Sequence, residues 1–227
     1  MPRIKFYGEG PDDVGREIFK ENLATLQILI KRILAKNLHR DIDFDYEINH
    51  IKDVKLHPKK YKGKGARGFA RKVSTAMEYA TDHKYDAVVF VVDYDEHTER
   101  FEEMDEGRKT SRQRDCFIPV VLGVAKKEIE AWLLADPKAR RQIFGTKGGD
   151  DIGEIETRDN LTKLFGDLYS EYQKNQENED ILTKGKIKRE LAEISNIGTI
   201  AKECNKSFKP FMKEVKDNLK RLFKGNQ

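Results

Sequence analysis

Carboxylates gather in three short stretches of the sequence: Glu9, Asp12 and Asp13; Asp93, Asp95 and Glu96; and Glu128 with Glu130. Crowded carboxylates repel and raise one another's pKa. A hard divalent cation relieves that repulsion, and an all-oxygen donor set favours Mg²⁺ or Mn²⁺ over zinc or copper. Asp93 and Asp95 stand two residues apart, so on a continuing strand they share a face. Each stretch also has a plainer reading. Asp12 and Asp13 suit the start of a helix, where side-chain oxygens cap free amides and complement the dipole. Glu128 and Glu130 suit the first turn of another helix, and an Asp-x-Asp after a strand suits a turn. The argument for a metal is that all three stretches follow strand-like segments, whose carboxyl ends form the ligand-binding rim of an open α/β sheet.

Cations cluster as well. Nine Lys or Arg (52, 55, 59, 60, 62, 64, 67, 71, 72) face one acid, Asp53, in a segment whose local charge of +8 exceeds the +4 of the whole chain. Gly63, Gly65 and Gly68 are interleaved there. This composition suits either a phosphate-contacting loop or a solvated lysine-rich one. A second group, Arg108, Lys109, Arg112 and Arg114, lies in the connection after Asp93 and Asp95. Arg108, Arg112 and Lys126 are the candidates to offset charge on a phosphorane-like transition state. The lysines of the C-terminal helical pattern (Lys206, Lys209, Lys213, Lys216, Lys220, Lys224) with Arg221 read as a solvated face. Of the histidines only His97 lies near the acids. The glycines at 8 and 10 lack both a following Gly-Lys-Ser/Thr and a third glycine at dinucleotide-binding spacing, so no nucleotide cofactor is expected. Cys116 and Cys204 are too isolated for a disulfide framework or a zinc site.

The elements that must position these groups follow from hydrophobic period. Residues 3–7 alternate and stop at Gly8-Glu9-Gly10-Pro11. From Asp12 onward Phe19, Leu23, Leu26, Ile30, Ile33, Leu34 and Leu38 recur at helical spacing. Ile42, Phe44, Tyr46 and Ile48 alternate as a second strand; Phe69, Val73, Met77 and Ala80 mark a second helix. The continuous run Ala87–Val92 predicts a central parallel strand covered on both faces. Phe117–Val121 predicts a fourth strand, leading through Leu122–Ala125 into a helix with Ile129, Trp132 and Leu133, where Trp132 is most simply core. Asp136-Pro137 ends that helix. This order predicts an α/β fold: a doubly wound, mainly parallel sheet over residues 1–136, with residues 137–227 forming a helical cap packed on it. Leu161–Tyr172, Ile187–Ile194 and Phe208–Phe223 supply the cap helices, with Gly145–Gly149 a mobile connection. The chain of 227 residues is 37% apolar and 37% charged, enough for a core beneath a densely ionic surface. No run approaches the ~20 apolar residues that span a bilayer, and Met1-Pro2-Arg3-Ile4-Lys5 lacks a signal peptide's apolar region. A cytoplasmic protein without membrane contact is expected.

The pattern Glu9-Gly10-Pro11-Asp12-Asp13 after one strand and Asp93-Tyr94-Asp95 after another resembles the Toprim core of primases, topoisomerases and the overcoming-lysogenization-defect nucleases. Those nucleases commonly read Glu-Gly-x-Thr-Glu, where this chain has Asp12 for the threonine and Asp13 for the last acid. Gly123-Val124-Ala125, Ile129–Asp136 and the stretch from Cys204 to Phe211 resemble more closely a family of small Toprim-like proteins of unassigned function, often found beside ATPases in phage-defence or mobile-element loci. The resemblance implies Glu9 as metal ligand or general acid/base, Asp93 and Asp95 as metal ligands, and Asp13 and Glu130 as supporting ligands of a second ion. It implies a Mg²⁺- or Mn²⁺-dependent nuclease acting on DNA or RNA, with an ATPase as a possible partner. The alternative is a non-catalytic Toprim-like module that docks on an ATPase or nucleic acid and regulates it.

Overall fold

The computed structural model describes residues 1–8, 16–56, 67–94, 99–126, 128–175 and 182–224. Four parallel strands form one sheet in the order β2-β1-β3-β4: β1 (Arg3–Gly8), β2 (Asp45–His50), β3 (Ala87–Tyr94) and β4 (Val120–Lys126). β1 and β3 are the inner pair and carry apolar side chains on both faces, as strands covered on both sides must. Helix α1 (Arg16–Leu38) packs on one face: Leu26, Leu29, Ile30 and Ile33 meet Ile4, Phe6, Val89 and Val91. Helices α2 (Gly68–Asp82) and α3 (Arg100–Arg112) cover the other, where Val73, Met77 and Met104 meet Tyr7, Val88, Phe90 and Leu122. The sheet is therefore doubly wound, and the winding reverses between β1 and β3.

The remaining helices lie on the α1 side: α4 (Ile129–Leu134), α5 (Pro137–Phe144), α6 (Leu161–Asn175), α7 (Lys184–Ile194), α8 (Ile197–Glu203) and α9 (Phe208–Leu219). They share one hydrophobic cluster with the sheet. Trp132 is fully buried at its centre, stacked on Phe211 with centroids 5.0 Å apart, and its indole N–H donates to Ser207 Oγ at 2.7 Å. Among the described residues no helix is long and apolar enough to cross a membrane.

Three local expectations change, and one short helix is added. The connection after β3 is the helix α3, not a loop. Its buried stripe is Arg100, Met104, Gly107 and Ser111, so its helical period is written mostly in small and polar residues. β4 begins later and runs on through Leu122–Lys126 in register with Phe90–Tyr94, while Phe117 stays 68% exposed ahead of it. α8, too short to show a clear period, is capped by Asn196, whose side chain accepts from Gly198 and Thr199 N–H groups. Residues Thr146–Gly149 form a packed 3₁₀ turn, held by Arg140 Nε–H donating to the Gly148 carbonyl at 2.9 Å.

Candidate functional site

In a doubly wound sheet the helices diverge where the winding reverses, which opens a crevice beyond the carboxyl ends of the flanking strands. Here the flanking strands are β1 and β3, hydrogen-bonded neighbours whose register pairs Gly8 with Val91. β1 therefore ends level with Val91, and β3 runs past it toward the same rim, carrying Asp93 and Tyr94 about 7 and 10 Å further. Glu9, Asp12, Asp13, Asp95, Glu96 and His97 lie outside the described residues, as do residues 57–66 of the basic segment.

Asp93 is half-buried in the last turn of β3. Its backbone carbonyl accepts a hydrogen bond from Arg100, a 7%-exposed guanidinium that also lies over the Phe69 ring, 4.9 Å from its centroid. Arg100 was not legible as a site residue, since a lone arginine in a charged stretch carries no signal. On the neighbouring strand Lys126 pairs in register with Tyr94, one position beyond the Asp93–Ala125 pair. So Lys126 stands near the same rim as Asp93, but on the sheet face that Tyr94 shares and Asp93 does not.

The other candidate cations are elsewhere because α3 is a helix. At about 1.5 Å per residue it carries Arg108 about 12 Å and Arg112 about 18 Å from its start at the rim. Arg112 is exposed at the far end. Arg108 bridges Asp105 and Glu214, the latter at 2.8 Å. Burial weakens that guanidinium's charge, but the hydrogen bond to Asp105 and the charge of Glu214 outweigh it, and its pKa rises above the ordinary value. Neither arginine is placed to grip a phosphate at the rim.

The third acidic stretch also has structural partners. Glu128 Oε2 accepts from the Thr162 N–H at 2.8 Å and its hydroxyl at 2.6 Å, capping α6 from the loop before α4. Glu130, 8% exposed, accepts from Lys188 Nζ at 2.6 Å, and Lys188 is itself 6% exposed. Every sequence candidate for metal binding is a carboxylate, and Asp93 supplies such a hard oxygen donor at the rim, which suits Mg²⁺ or Mn²⁺. Among the described residues no three His, Cys, Asp or Glu side chains gather as a metal group. Among the described residues, open clefts of about 470 and 460 Å³ lie on the helical cap, on either side of Asp150–Ile152. The buried Arg140 that lines the first donates to the carbonyls of Gly148, Leu134 and Asp150, so its role there is to hold the chain.

Compared with known protein families, with curated proteins and with solved structures, the chain has no significant match. The Toprim resemblance therefore rests on its motif residues alone.

Proposed function

We propose that the crevice between β1 and β3 is the seat of divalent-metal-dependent phosphodiester hydrolysis on DNA or RNA, by a Toprim-like protein. The observation that carries the reading is the pairing of β1 with β3. It joins at one rim the two strand ends that run directly into Glu9 and into Asp93-Tyr94-Asp95. Asp13, Asp93 and Asp95 are the proposed ligands, with Glu9 as a further ligand or as the general acid/base. Glu130 is left out because its carboxylate neutralises Lys188. A bound Mg²⁺ or Mn²⁺ would supply Lewis acidity and a water of lowered pKa. As general base Glu9 would accept the proton of the attacking water as the new P–O bond forms, and the leaving oxygen would take a proton from solvent as its P–O bond breaks. Lys126 opposes negative charge on the phosphoryl group from the neighbouring strand. Arg100 acts as a positioning residue by holding the backbone of Asp93.

The test is cleavage of supercoiled DNA and end-labelled RNA in Mg²⁺ or Mn²⁺. Glu9→Gln and Asp93→Asn are expected to lose about a hundredfold or more in rate, the scale of a lost catalytic acid/base or metal ligand. Variants that cleave as fast as wild type remove the proposal. Calorimetric Mn²⁺ binding that is unaffected by Asp93→Asn, together with no cleavage by wild type, transfers the chain to the class of interaction modules that dock on an ATPase or nucleic acid.

A further inference from the structure

One face of α9 combines a position and a charge that the rim site does not use. The buried stripe of this helix is Phe208, Phe211, Val215 and Leu219, each at most 1% exposed. On its flank Lys209, Lys213 and Lys216, continued by Lys220 in the 3₁₀ turn just past its end, follow one another at spacings of four, three and four, which aligns them along one side. Lys209 and Lys213 are exposed, and Lys216 and Lys220 are partly so. The one acid on that side, Asp217, sits 3.4 Å from Lys213. Glu214 points the other way, to Arg108 and to the Leu122 N–H at 3.3 Å on the open edge of β4. Among the described residues Lys209, Lys216 and Lys220 have no ion-pair partner.

Direction matters as much as charge. Phe211 packs over Gly123, where an added Cβ would come within 2.8 Å of its ring. Phe208, one turn earlier, meets Trp132 beyond the carboxyl end of β4, whereas Phe223 past the end of α9 packs on Phe44 ahead of β2. α9 thus runs antiparallel to the strands, starting at the rim. Its lysine row extends about 16 Å back from there. That length meets about five phosphates of one strand, at about 3.4 Å of axis per phosphate.

We infer that this row binds the sugar-phosphate backbone of a nucleic acid and leads it to the rim. The inference rests on the phosphodiester reading for what happens at the rim, but the binding it describes needs no metal. An anionic membrane fits less well. A helix that lies on a bilayer inserts its apolar face, and here that face is closed inside the core.

The experiment uses the full chain in excess EDTA with a short fluorescein-labelled duplex and the matching single strand, titrated across a salt series. A Lys209→Gln/Lys213→Gln/Lys216→Gln/Lys220→Gln variant is compared with one that removes the same charge elsewhere, Lys138→Gln/Lys163→Gln/Lys174→Gln/Lys186→Gln. Circular dichroism melts check that both are folded. The row variant is expected to bind about tenfold or more weakly and to flatten the slope of log K against log salt by about 3 to 4, while the control changes by less than about threefold. Equal losses in both variants, no loss in the row variant, or binding to phosphatidylserine vesicles with none to nucleic acid overturns the inference. Wild type that binds in EDTA through the row yet never cleaves with Mg²⁺ or Mn²⁺ supports the row and removes the catalytic proposal. Cleavage with an unaffected row variant does the reverse.

Discussion

Glu130 and Lys188 come from α4 and α7, and both are nearly closed off from water where they meet. The two charges pair with each other, and the Lys188 ammonium also lies over the Phe165 ring, 5.5 Å from its centroid. Removing one leaves the other buried and uncompensated, at a cost of about 3–5 kcal/mol, whereas replacing both by apolar groups is often neutral. Lys188→Met alone should therefore lose about 3–5 kcal/mol in urea unfolding, and Glu130→Leu/Lys188→Met should recover most of it. A double variant no more stable than the single would mean that the pair does not act as a unit. Lys5 shows a related arrangement on the other face of the sheet. It is 1% exposed among the rings of Tyr7, Tyr79 and Tyr85, and its ammonium reaches Glu47, a half-exposed carboxylate on β2. Burial lowers its pKa below the ordinary lysine value, and the hydrogen bond and charge of Glu47 offset only part of that.

At the scale of elements, the contact between α2 and α3 decides where the cations of α3 end up. Gly107 is the close point of that contact: a Cβ built there would lie 2.2 Å from the Ala70 carbonyl oxygen, a backbone atom with no rotamer to yield. Four residues on, Ser111 Oγ donates to Ser74 Oγ at 2.9 Å across the same seam. Gly107→Ala must push the helices apart and should cost about 3 kcal/mol, the upper end for overpacking. Chemical denaturation would reveal it, and a loss below about 1 kcal/mol would show that the seam relaxes easily. At the opposite edge of the sheet β2 is short and largely exposed, with Asp45 and Glu47 along it, charges that discourage pairing with another strand.

Across the whole molecule, one apolar cluster runs from Ile4 and Val89 in the sheet to Ile187, Phe208 and Leu219 in the C-terminal helices. Such continuity leaves the cap no core apart from the sheet's, while the sheet has a second cluster of its own under α2 and α3, so the cap should not outlast the sheet and the two should unfold together. The sole tryptophan, Trp132, sits at their junction and reports on it. Urea curves followed by its fluorescence and by far-ultraviolet circular dichroism should coincide, as two-state unfolding requires. A cap that melts first would separate the two curves.

β3 could be read directly because burial on both faces leaves the uninterrupted run Ala87–Val92, and α1 could be read because its apolar residues return at the helical period over six turns, whereas β4 was displaced by several residues. The α/β class and the reversal of winding follow from that order. α3 could not be read: its buried stripe of Arg100, Met104, Gly107 and Ser111 looks like solvent-facing sequence until α2 is packed against it. The partners of Glu128, Glu130 and Arg108 were hidden for a related reason, since Thr162, Lys188 and Glu214 are 34, 58 and 106 residues away along the chain. Local sequence dictates which segments are periodic and therefore which elements form. Charge pairing is set by distances in space, and only the folded chain determines which acid meets which base.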